Sequence, residues 1–270
     1  MQTVSVIIPT YNRAHCIERA IQSVLNQEGQ GISFEIVEIL VMDDGSTDDT
    51  EAVVREIADP RVIYHLLPVN GGAGKARNEG ANLARGEWIA FQDSDDEWHP
   101  DKLQKQFALA AEHPEYDMIY CGLHSELETG ENWDFVPDES GDMFDRLAER
   151  NYIGAPVMLI RKDAWDQTGG FDPNLLALED WDLALRFSDS HLIGCVAENL
   201  CTAYASLSGV SANYANSYAA HCQLFLKNRS LLRKHGAFEK ALEALLLRAN
   251  RAGVLQPVAK MLESVLSHGI

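Results

Sequence analysis

The 270-residue chain contains no run of about 18 consecutive apolar residues, the length that a helix needs to cross a bilayer. Its N-terminus also lacks a basic segment followed by an apolar stretch and a small-residue cleavage site. The apolar run Val4–Ile8 is short and is followed directly by Pro9. These absences exclude a membrane-spanning protein and a secretory leader, and we expect a cytoplasmic protein.

Cysteine is sparse, and no Cys-x-x-Cys pair of the kind used in zinc or redox sites occurs. The number of cysteines is odd, and they are scattered along the chain. We therefore predict reduced thiols, mostly in the core, rather than disulfides or metal ligands. The cysteines are Cys16, Cys121, Cys195, Cys201 and Cys222.

Positive charge is in short supply, because 22 Lys and Arg face 41 Asp and Glu and give a formal net charge of −19. A nucleic-acid partner is excluded, since a phosphate backbone requires a basic surface. Any other phosphate-bearing ligand would also be repelled. Two like charges about 4 Å apart repel by about 4 kcal/mol at an effective dielectric near 20. An acidic site that binds a diphosphate therefore needs a cation between the two.

Short β-branched runs alternate with helical patterns over the first hundred residues. Val4–Ile8 reads as a strand buried on both faces, and the apolar residues from Ile17 to Leu25 recur at helical spacing. This alternation predicts an α/β fold with a mostly parallel central sheet flanked by helices. The further predicted strands are Glu35–Met42, Val62–His65, Trp88–Gln92, Met118–Cys121 and Val157–Ile160.

The pattern changes in the second half of the chain. Residues 122–141 are polar and acidic, and we predict a loop there, whereas Asp180–Ser188 has the pattern of a helix. Beyond residue 205 only helical periods remain. We therefore predict a catalytic domain at residues 1–205 and a C-terminal helical extension at 206–270. The helices expected in that extension are Leu224–Leu232, Phe238–Leu247 and Val258–Leu266.

Polar side chains follow three of the predicted strands. In an open parallel sheet, ligands bind at the carboxyl ends of the strands. Asp43–Ser46 fits either such a site or a turn with a helix cap. Asp93–Asp96 is harder to explain locally, because its closely spaced carboxylates repel one another unless a cation is present. Hard divalent cations prefer such oxygens and fill their remaining positions with water and substrate phosphates.

Six motifs, taken in order, resemble the successive signatures of family 2 glycosyltransferases and cover about residues 3–205. The resemblance implies a GT-A fold and a sugar transfer that inverts the anomeric carbon. The motifs are Val4-Ser-Val-Ile-Ile-Pro-Thr-Tyr-Asn12, Val41-Met-Asp-Asp-Gly-Ser-Thr-Asp48, Ala76-Arg-Asn-Glu-Gly80, Phe91-Gln-Asp-Ser-Asp-Asp96, Gly169-Gly-Phe-Asp172 and Glu179-Asp-Trp-Asp-Leu183.

The resemblance also implies roles for individual residues. The donor would be a nucleotide sugar whose base is usually uracil, and the cofactor would be Mg²⁺ or Mn²⁺. Asp95 would bind the metal, with Asp93 as a second ligand or nearer the ribose or sugar. Asp180 would be the catalytic base, although acidic residues also favour the first turn of a helix for electrostatic reasons alone. The remaining donor contacts would be Thr10 and Tyr11 at the nucleoside, Asp44 at the base and Arg77 near the phosphates.

One departure from the family pattern concerns Tyr204–Ser211, where many relatives carry an Arg or His and this chain has only hydroxyl groups. A sugar-nucleotide-binding module without turnover is therefore one alternative. A nucleotidyltransferase is another, although it would place a Gly-rich basic segment after the first strand. A dehydrogenase is disfavoured, because Gly71–Gly74 lacks the Gly-x-Gly-x-x-Gly spacing.

The sequence says less about the acceptor. A saccharide or a lipid-linked saccharide would suit a transferase of this kind, but neither the sugar, the linkage nor the oligomeric state is encoded in a motif. A cluster of basic residues in the C-terminal extension has two interpretations: peripheral contact with a membrane at its inner face, or a solvated helix face. The residues are Lys227, Arg229, Arg233 and Lys234.

Overall fold

The computed structural model describes residues 1–29, 31–205, 214–254, 256–258, 260 and 262. One sheet of nine strands forms the centre of this part of the chain. The strands are β1 (Gln2–Thr10), β2 (Phe34–Asp43), β3 (Val62–Leu66), β4 (Trp88–Phe91), β5 (Glu97–Trp98), β6 (Tyr116–Leu127), β7 (Asn132–Phe135), β8 (Leu159–Arg161) and β9 (Leu192–Ala205). The helices are α1 (Ile17–Leu25), α2 (Thr50–Glu56), α3 (Ala73–Leu83), α4 (Lys102–Glu112), α5 (Phe144–Leu147), α6 (Lys162–Thr168), α7 (Glu179–Phe187), α8 (Tyr214–Lys227), α9 (Arg229–Lys234) and α10 (Phe238–Arg251), with a 3₁₀ turn at Ala155–Val157.

The N-terminal part of the sheet is parallel. Its strands lie in the order β3-β2-β1-β4, and all three pairs in that series are parallel. The apolar residues of β1 from Val4 to Ile8 are almost fully enclosed, as expected for a strand covered by helices on both faces. The predicted alternation of strands and helices is confirmed over this region.

Beyond β4 the sheet is mixed, so the prediction of an α/β fold is confirmed but the parallel arrangement does not extend across the whole sheet. β8 is antiparallel to both β4 and β6, and β9 is parallel to β6. β5 pairs with β9 in the antiparallel direction. A short strand such as β8 carries too little pattern to reveal its direction from sequence.

The loop predicted for residues 122–141 is wrong as far as Phe135. Strand β6 continues to Leu127 and folds back through a turn into β7, with which it pairs in the antiparallel direction. Most side chains of β7 are exposed, so the hairpin lacks the apolar alternation that marks a half-buried strand. Strand β6 of this hairpin also pairs with β9, which lies far away in the sequence.

Large aromatic side chains lie in the core. Trp98, Trp165 and Trp181 are all at most 5% exposed. None of the five cysteines forms a disulfide, and all except the partly buried Cys195 lie in the interior. The prediction of unpaired, mostly buried thiols is therefore confirmed.

Helices α8–α10 form the described part of the C-terminal extension and include the first two predicted helical segments. The third, Val258–Leu266, lies largely outside the described residues. The extension is anchored through Asp182 of α7, a fully buried carboxylate. It accepts hydrogen bonds from Lys227 Nζ at 2.7 Å, from Asn228 Nδ2 at 2.8 Å and from Arg186 Nε at 2.8 Å. A division into domains at residue 205 stays a prediction.

Two of the four basic residues singled out in the extension are ion-paired within the protein. Lys227 Nζ lies 2.7 Å from Oδ2 of both Asp172 and Asp182, and Lys234 Nζ lies 2.5 Å from Asp189 Oδ1. A third, Arg233, lies over the ring of Phe238. These contacts weaken the case for a basic membrane-binding face. No helix in the described parts of the chain is long and apolar enough to span a bilayer.

Candidate active site

The ends of β1, β2 and β4 bring the predicted polar groups to one edge of the sheet. Thr10 pairs with Asp43 in the parallel register, and Ile7 pairs with Phe91, the last residue of β4. Asp93 follows Phe91 by two residues and therefore lies at the same edge. The edge holds the groups that sequence reasoning assigned to a donor.

The two neighbouring aspartates at the end of β2 have different environments. Asp43 is fully buried and has a local structural role, because its Oδ1 accepts the N–H groups of Gly45 and Ser46 at 3.0 and 2.7 Å. Asp44 instead faces the loop before α3, where its carboxylate accepts the N–H groups of Gly71 and Gly72 at 2.7–3.1 Å. The turn that the sequence allowed at Asp43–Ser46 is thus stabilised by Asp43. Asp44 instead connects the end of β2 to the loop before α3.

Thr10 and Tyr11 offer the groups that a nucleoside would use. The side chain of Thr10 is 3% exposed, and its Oγ1 has no hydrogen-bond partner among the described residues. The ring of Tyr11 is 47% exposed. A buried hydroxyl without a partner is costly unless a ligand or water satisfies it. The pair therefore suits a ligand that brings both a polar edge and a planar face.

Arg77 joins two parts of the crevice that lie far apart in the sequence. Its side chain is buried, with Nη2 2.5 Å from Oδ1 of Asp93 and Nη1 3.1 Å from Oε1 of Glu179. Its Nε has no partner among the described residues. The fork geometry of guanidinium allows one group to bind two carboxylates at once. Arg77 thus holds the acidic loop after β4 next to the start of α7.

Helix α3 connects all of these groups. It begins at Ala73, directly after the glycines that bind Asp44, and it carries Arg77 on its next turn. A Cβ atom at Gly74 would lie 3.6 Å from Cγ of Glu179, so this helix also passes close to the start of α7. Helix α3 thus connects the loop bound by Asp44, through Arg77, to Asp93 and to the start of α7, where Asp180 lies.

The acidic loop after β4 contains one accessible carboxylate and one enclosed carboxylate. The side chain of Asp95 is 41% exposed, with the Nε of Arg13 at 3.4 Å from its Oδ2, and its backbone oxygen accepts a hydrogen bond from Arg19. Asp96 is buried, and its pKa is raised well above the ordinary value by burial and then by the charges of Asp93 and Asp95. The loop thus keeps Asp95 accessible, whereas Asp93 is bound to Arg77 and Asp96 is enclosed.

Within the described residues, no three His, Cys, Asp or Glu side chains converge into a closed metal site. An open site remains compatible with the donor set, since Mg²⁺ and Mn²⁺ bind through one or two carboxylates together with substrate phosphates and waters. The accessible carboxylate of Asp95 fits that description. Asp93 fits less simply, because Arg77 occupies its Oδ1.

Asp180 lies in the first turn of α7, two residues after Leu178, which has a positive φ of 67°. Burial, together with the negative charge of Glu179, raises the pKa of Asp180 to about 6. Its Oδ1 accepts the N–H of Trp181 at 2.7 Å, and its Oδ2 accepts a hydrogen bond from Nδ2 of Asn151 at 3.3 Å. A carboxylate whose pKa is raised toward neutrality is more basic than an ordinary aspartate, which suits a general base.

Asn151 is the residue that sequence reasoning missed. Its Oδ1 accepts the N–H of Ile153 at 3.0 Å, which fixes the amide so that Nδ2 points to Asp180. A lone asparagine in a stretch without a motif gives no sequence signal for this role. Most of the segment that departs from the family pattern, residues 206–211, lies outside the described residues. Only Tyr204 and Ala205 can be placed, at the end of β9.

Comparison with known proteins identifies a family. The model of Glycosyl transferase family 2 matches residues 5–167. The putative teichuronic acid biosynthesis glycosyltransferase TuaG of Bacillus subtilis is 33% identical over 204 residues, which are 72% of this chain and 77% of TuaG. The succinoglycan biosynthesis protein ExoO of Rhizobium meliloti is 47% identical over 107 residues, which are 40% of this chain but only 29% of ExoO.

Solved structures share the fold. S. aureus TarS 1-349 in complex with UDP-GlcNAc aligns with a TM-score of 0.67 at 21% identity, and the alignment covers 99% of this chain and 92% of that one. The mannosyltransferase PcManGT from Pyrobaculum calidifontis, in complex with GDP-Man and Mn²⁺, gives a TM-score of 0.64 at 21% identity over 98% and 79% of the two chains. The GT-A fold expected from the motifs is confirmed.

Proposed function

The chain belongs to glycosyltransferase family 2, and from this premise we propose that it moves a sugar from a nucleoside-diphosphate donor, a UDP-sugar, to a hydroxyl group of a saccharide acceptor with inversion. One base is enough for such a reaction, because the acceptor oxygen attacks the anomeric carbon from the face opposite the departing diphosphate. The carbon–oxygen bond to the diphosphate breaks as the new glycosidic bond forms.

The observation that carries the proposal is the position of Asp180. Asp180 lies in the first turn of α7, and the pKa of its carboxyl group is raised to about 6. The first residue of that helix, Glu179, is connected through Arg77 to Asp93. A hydroxyl group is a poor nucleophile at neutral pH unless a base within hydrogen-bond reach takes its proton. In this mechanism Asp180 takes that proton, and Asn151 holds the carboxylate in place.

We assign the donor to the edge formed by β1, β2 and β4. Thr10 and Tyr11 would contact the nucleoside, and Asp44 would accept a hydrogen bond from the base. The unpartnered Oγ1 of Thr10 supports this assignment. Arg77 and Asp93 would lie near the diphosphate and the ribose or sugar. The UDP-GlcNAc complex of TarS supports a uridine donor by analogy of fold.

A divalent cation, Mg²⁺ or Mn²⁺, is part of the proposal. Asp95 would hold it, with Asp93 as a second ligand if Arg77 shifts, and the donor phosphates would complete its coordination. A bound cation at this place stabilises negative charge on the leaving diphosphate as a Lewis acid. The Mn²⁺ complex of PcManGT, which has the same fold, supports this assignment.

The biological setting follows from the relatives. The names of ExoO and TuaG refer to succinoglycan and teichuronic acid biosynthesis, so we infer a role in building a surface polysaccharide or glycoconjugate. The acceptor would be a saccharide or lipid-linked saccharide, reached in the cytoplasm or at the inner face of the membrane.

A sugar-nucleotide-binding module without turnover is a second candidate. Its support is the absence of basic residues from Tyr204–Ser211. This candidate predicts donor binding without release of nucleoside diphosphate, whatever acceptor is offered. A nucleotidyltransferase has no comparable support, given the family.

A donor screen tests the proposal. Melting temperature is measured with UDP-, GDP- and dTDP-sugars in the presence of Mn²⁺, and UDP release is then measured for the donor that stabilises most. We expect a UDP-sugar to give the largest shift. The Asp95→Asn variant should lose the Mn²⁺-dependent part of that shift. Asp145→Asn, the same change in the first turn of the surface helix α5, serves as the matched control. A larger shift with another nucleotide would show that the donor assignment is wrong.

A further inference from the structure

The β6–β7 hairpin presents aromatic side chains on one face near the crevice. Trp133 and Phe135 are two residues apart on β7 and therefore point to the same side of the strand. Trp133 is 49% exposed, whereas Phe135 is partly buried. A half-exposed indole ring on a polar hairpin offers a flat apolar face with an N–H donor at its edge, a combination that suits contact with a ligand.

Arg150 lies over the inner part of this face. The carbon of its guanidinium group is 4.6 Å from the ring centroid of Tyr152 and 5.3 Å from that of Phe135, and the two rings are 6.1 Å apart. The Arg150 side chain makes no ion pair or hydrogen bond with any residue that the structure describes. Arg146, one turn earlier, instead pairs with Glu139 at 3.3 Å.

The same segment of chain touches the proposed base. Asn151, which hydrogen-bonds to Asp180, stands between Arg150 and Tyr152 in the sequence. Three residues after Asn151, Gly154 has no side chain to occupy the space beside Asp180. A Cβ atom there would lie 3.7 Å from Oδ2, in van der Waals contact. The aromatic face and the proposed donor edge thus approach Asp180 through different neighbours, Asn151 on one side and Glu179 with Arg77 on the other.

The chemistry of this face suits an acidic sugar. Aromatic rings cover the apolar face of a bound ligand, and a few polar groups then fix its orientation. A guanidinium group stacked on rings keeps its N–H edge free for a planar carboxylate, which it binds through two parallel hydrogen bonds. In a chain with a net charge of −19, an anionic saccharide would otherwise be repelled. An arginine without a carboxylate partner in the described part of the chain would turn that repulsion into local attraction.

We propose that Trp133, Phe135, Tyr152 and Arg150 form an acceptor subsite that binds a saccharide containing a hexuronic acid, with the carboxylate on Arg150 and the sugar ring against the aromatic side chains. The inference rests on the proposed transferase function and names its substrate class. Arg150 acts in binding and orientation, and Asp180 acts on the reacting hydroxyl.

Binding of matched probes tests the inference. Tetrasaccharides of glucuronic, galacturonic and mannuronic acid are titrated into the protein saturated with UDP and Mn²⁺, each alongside the same tetrasaccharide with its carboxylates reduced to hydroxymethyl groups. We expect at least one acidic probe to bind about tenfold more tightly than its reduced partner, the difference that a charge-assisted bidentate contact supplies. Arg150→Gln should abolish that difference, and Trp133→Ala should weaken both members of the pair.

Arg146→Gln is the matched control, because it removes an exposed arginine four residues away that already has a carboxylate partner. It should leave the preference unchanged. The inference is overturned if no acidic probe is preferred, or if Arg150→Gln preserves the preference. UDP binding is measured first in every variant. If the wild-type protein fails to bind UDP, the donor assignment fails, whereas a protein that binds UDP but shows no acidic preference refutes only the acceptor class.

Discussion

The two sides of the crevice differ in how their polar groups are satisfied. On the donor side, protein groups bind one another: Asp44 holds the Gly71–Gly72 loop, and Arg77 joins Asp93 to Glu179. On the other side, Arg150 stacks on aromatic rings without a carboxylate partner in the described structure. The proposed donor side is thus a frame preorganised by contacts within the protein, whereas on the proposed acceptor side Arg150 has no carboxylate partner among the described residues. The predictions below test this contrast.

The largest effect is expected at the carboxylate between the two sides. Asp180→Asn removes the proposed base, so kcat should fall by roughly 10²–10⁴-fold, the usual contribution of general base catalysis. Donor affinity, measured by titration with UDP, should stay within about twofold. Near-normal turnover in this variant would exclude Asp180 as the base.

The same substitution has a consequence for stability. Because the pKa of Asp180 is raised in the folded protein to about 6, the folded state binds this proton more tightly than the unfolded state does. Ionisation of Asp180 in the folded state therefore costs stability: the cost builds up between about pH 4 and pH 6, is complete above pH 6 and is absent below about pH 4. Asp180→Asn should raise the free energy of unfolding by ~1–3 kcal/mol at pH 8, with little change at pH 4. Denaturant titration at the two pH values measures this difference.

Breaking the donor-side frame should have the next largest effect. Arg77→Met leaves Asp93 and Glu179 without their shared cation, so the free energy of unfolding should fall by about 2–4 kcal/mol and UDP should bind more weakly. Arg55→Met is the control, because Arg55 is exposed, pairs with Glu51 and lies 5.2 Å from the ring centroid of Tyr64, and it should change stability by less than about 1 kcal/mol. Equal effects of the two substitutions would contradict a preorganised frame.

The attachment of the C-terminal helices is expected to be of intermediate strength. Lys227→Met removes one of three partners of the buried Asp182, so stability should fall by ~1–3 kcal/mol. Lys234→Met removes an exposed contact to Asp189 and should cost less than about 1 kcal/mol. Denaturant titration compares the two variants. If Lys227→Met were silent, Asp182 would not be the main anchor of the extension.

The smallest effect is expected at the positioning residue on the acceptor side. The hydrogen bond from Asn151 lowers the pKa of Asp180, so Asn151→Ala should move the acidic limb of the kcat–pH profile upward by roughly half a unit. A purely structural role would lower activity at all pH values without moving the limb. UDP affinity serves as the internal control, because the donor side is untouched.

The same contrast explains which features could be predicted from sequence. Strands β1 and β4 are largely apolar runs that lead into polar residues, so local pattern is sufficient to place them and the groups at their ends. The β6–β7 hairpin is polar, and its pairing with β9 depends on residues about seventy positions away. No local signal carries that information.

Contacts between distant residues could not be predicted in the same way. Arg77 and Glu179 are 102 positions apart, and each belongs to a separate motif. The motifs indicated both residues, but not that one binds the other. Asn151 and Arg150 belong to no motif, so their relation to Asp180 required the folded chain.

Leu178 adds a consequence of a different kind. A left-handed backbone conformation costs a branched residue on the order of 1 kcal/mol or more, whereas glycine adopts it freely. The leucine side chain packs against the core and so fixes this bend, which sets the direction in which α7 departs. Conformational energy is thus held two residues before the carboxylate that we propose as the base. The fold gives up some stability to set the direction of the backbone that carries this acid group.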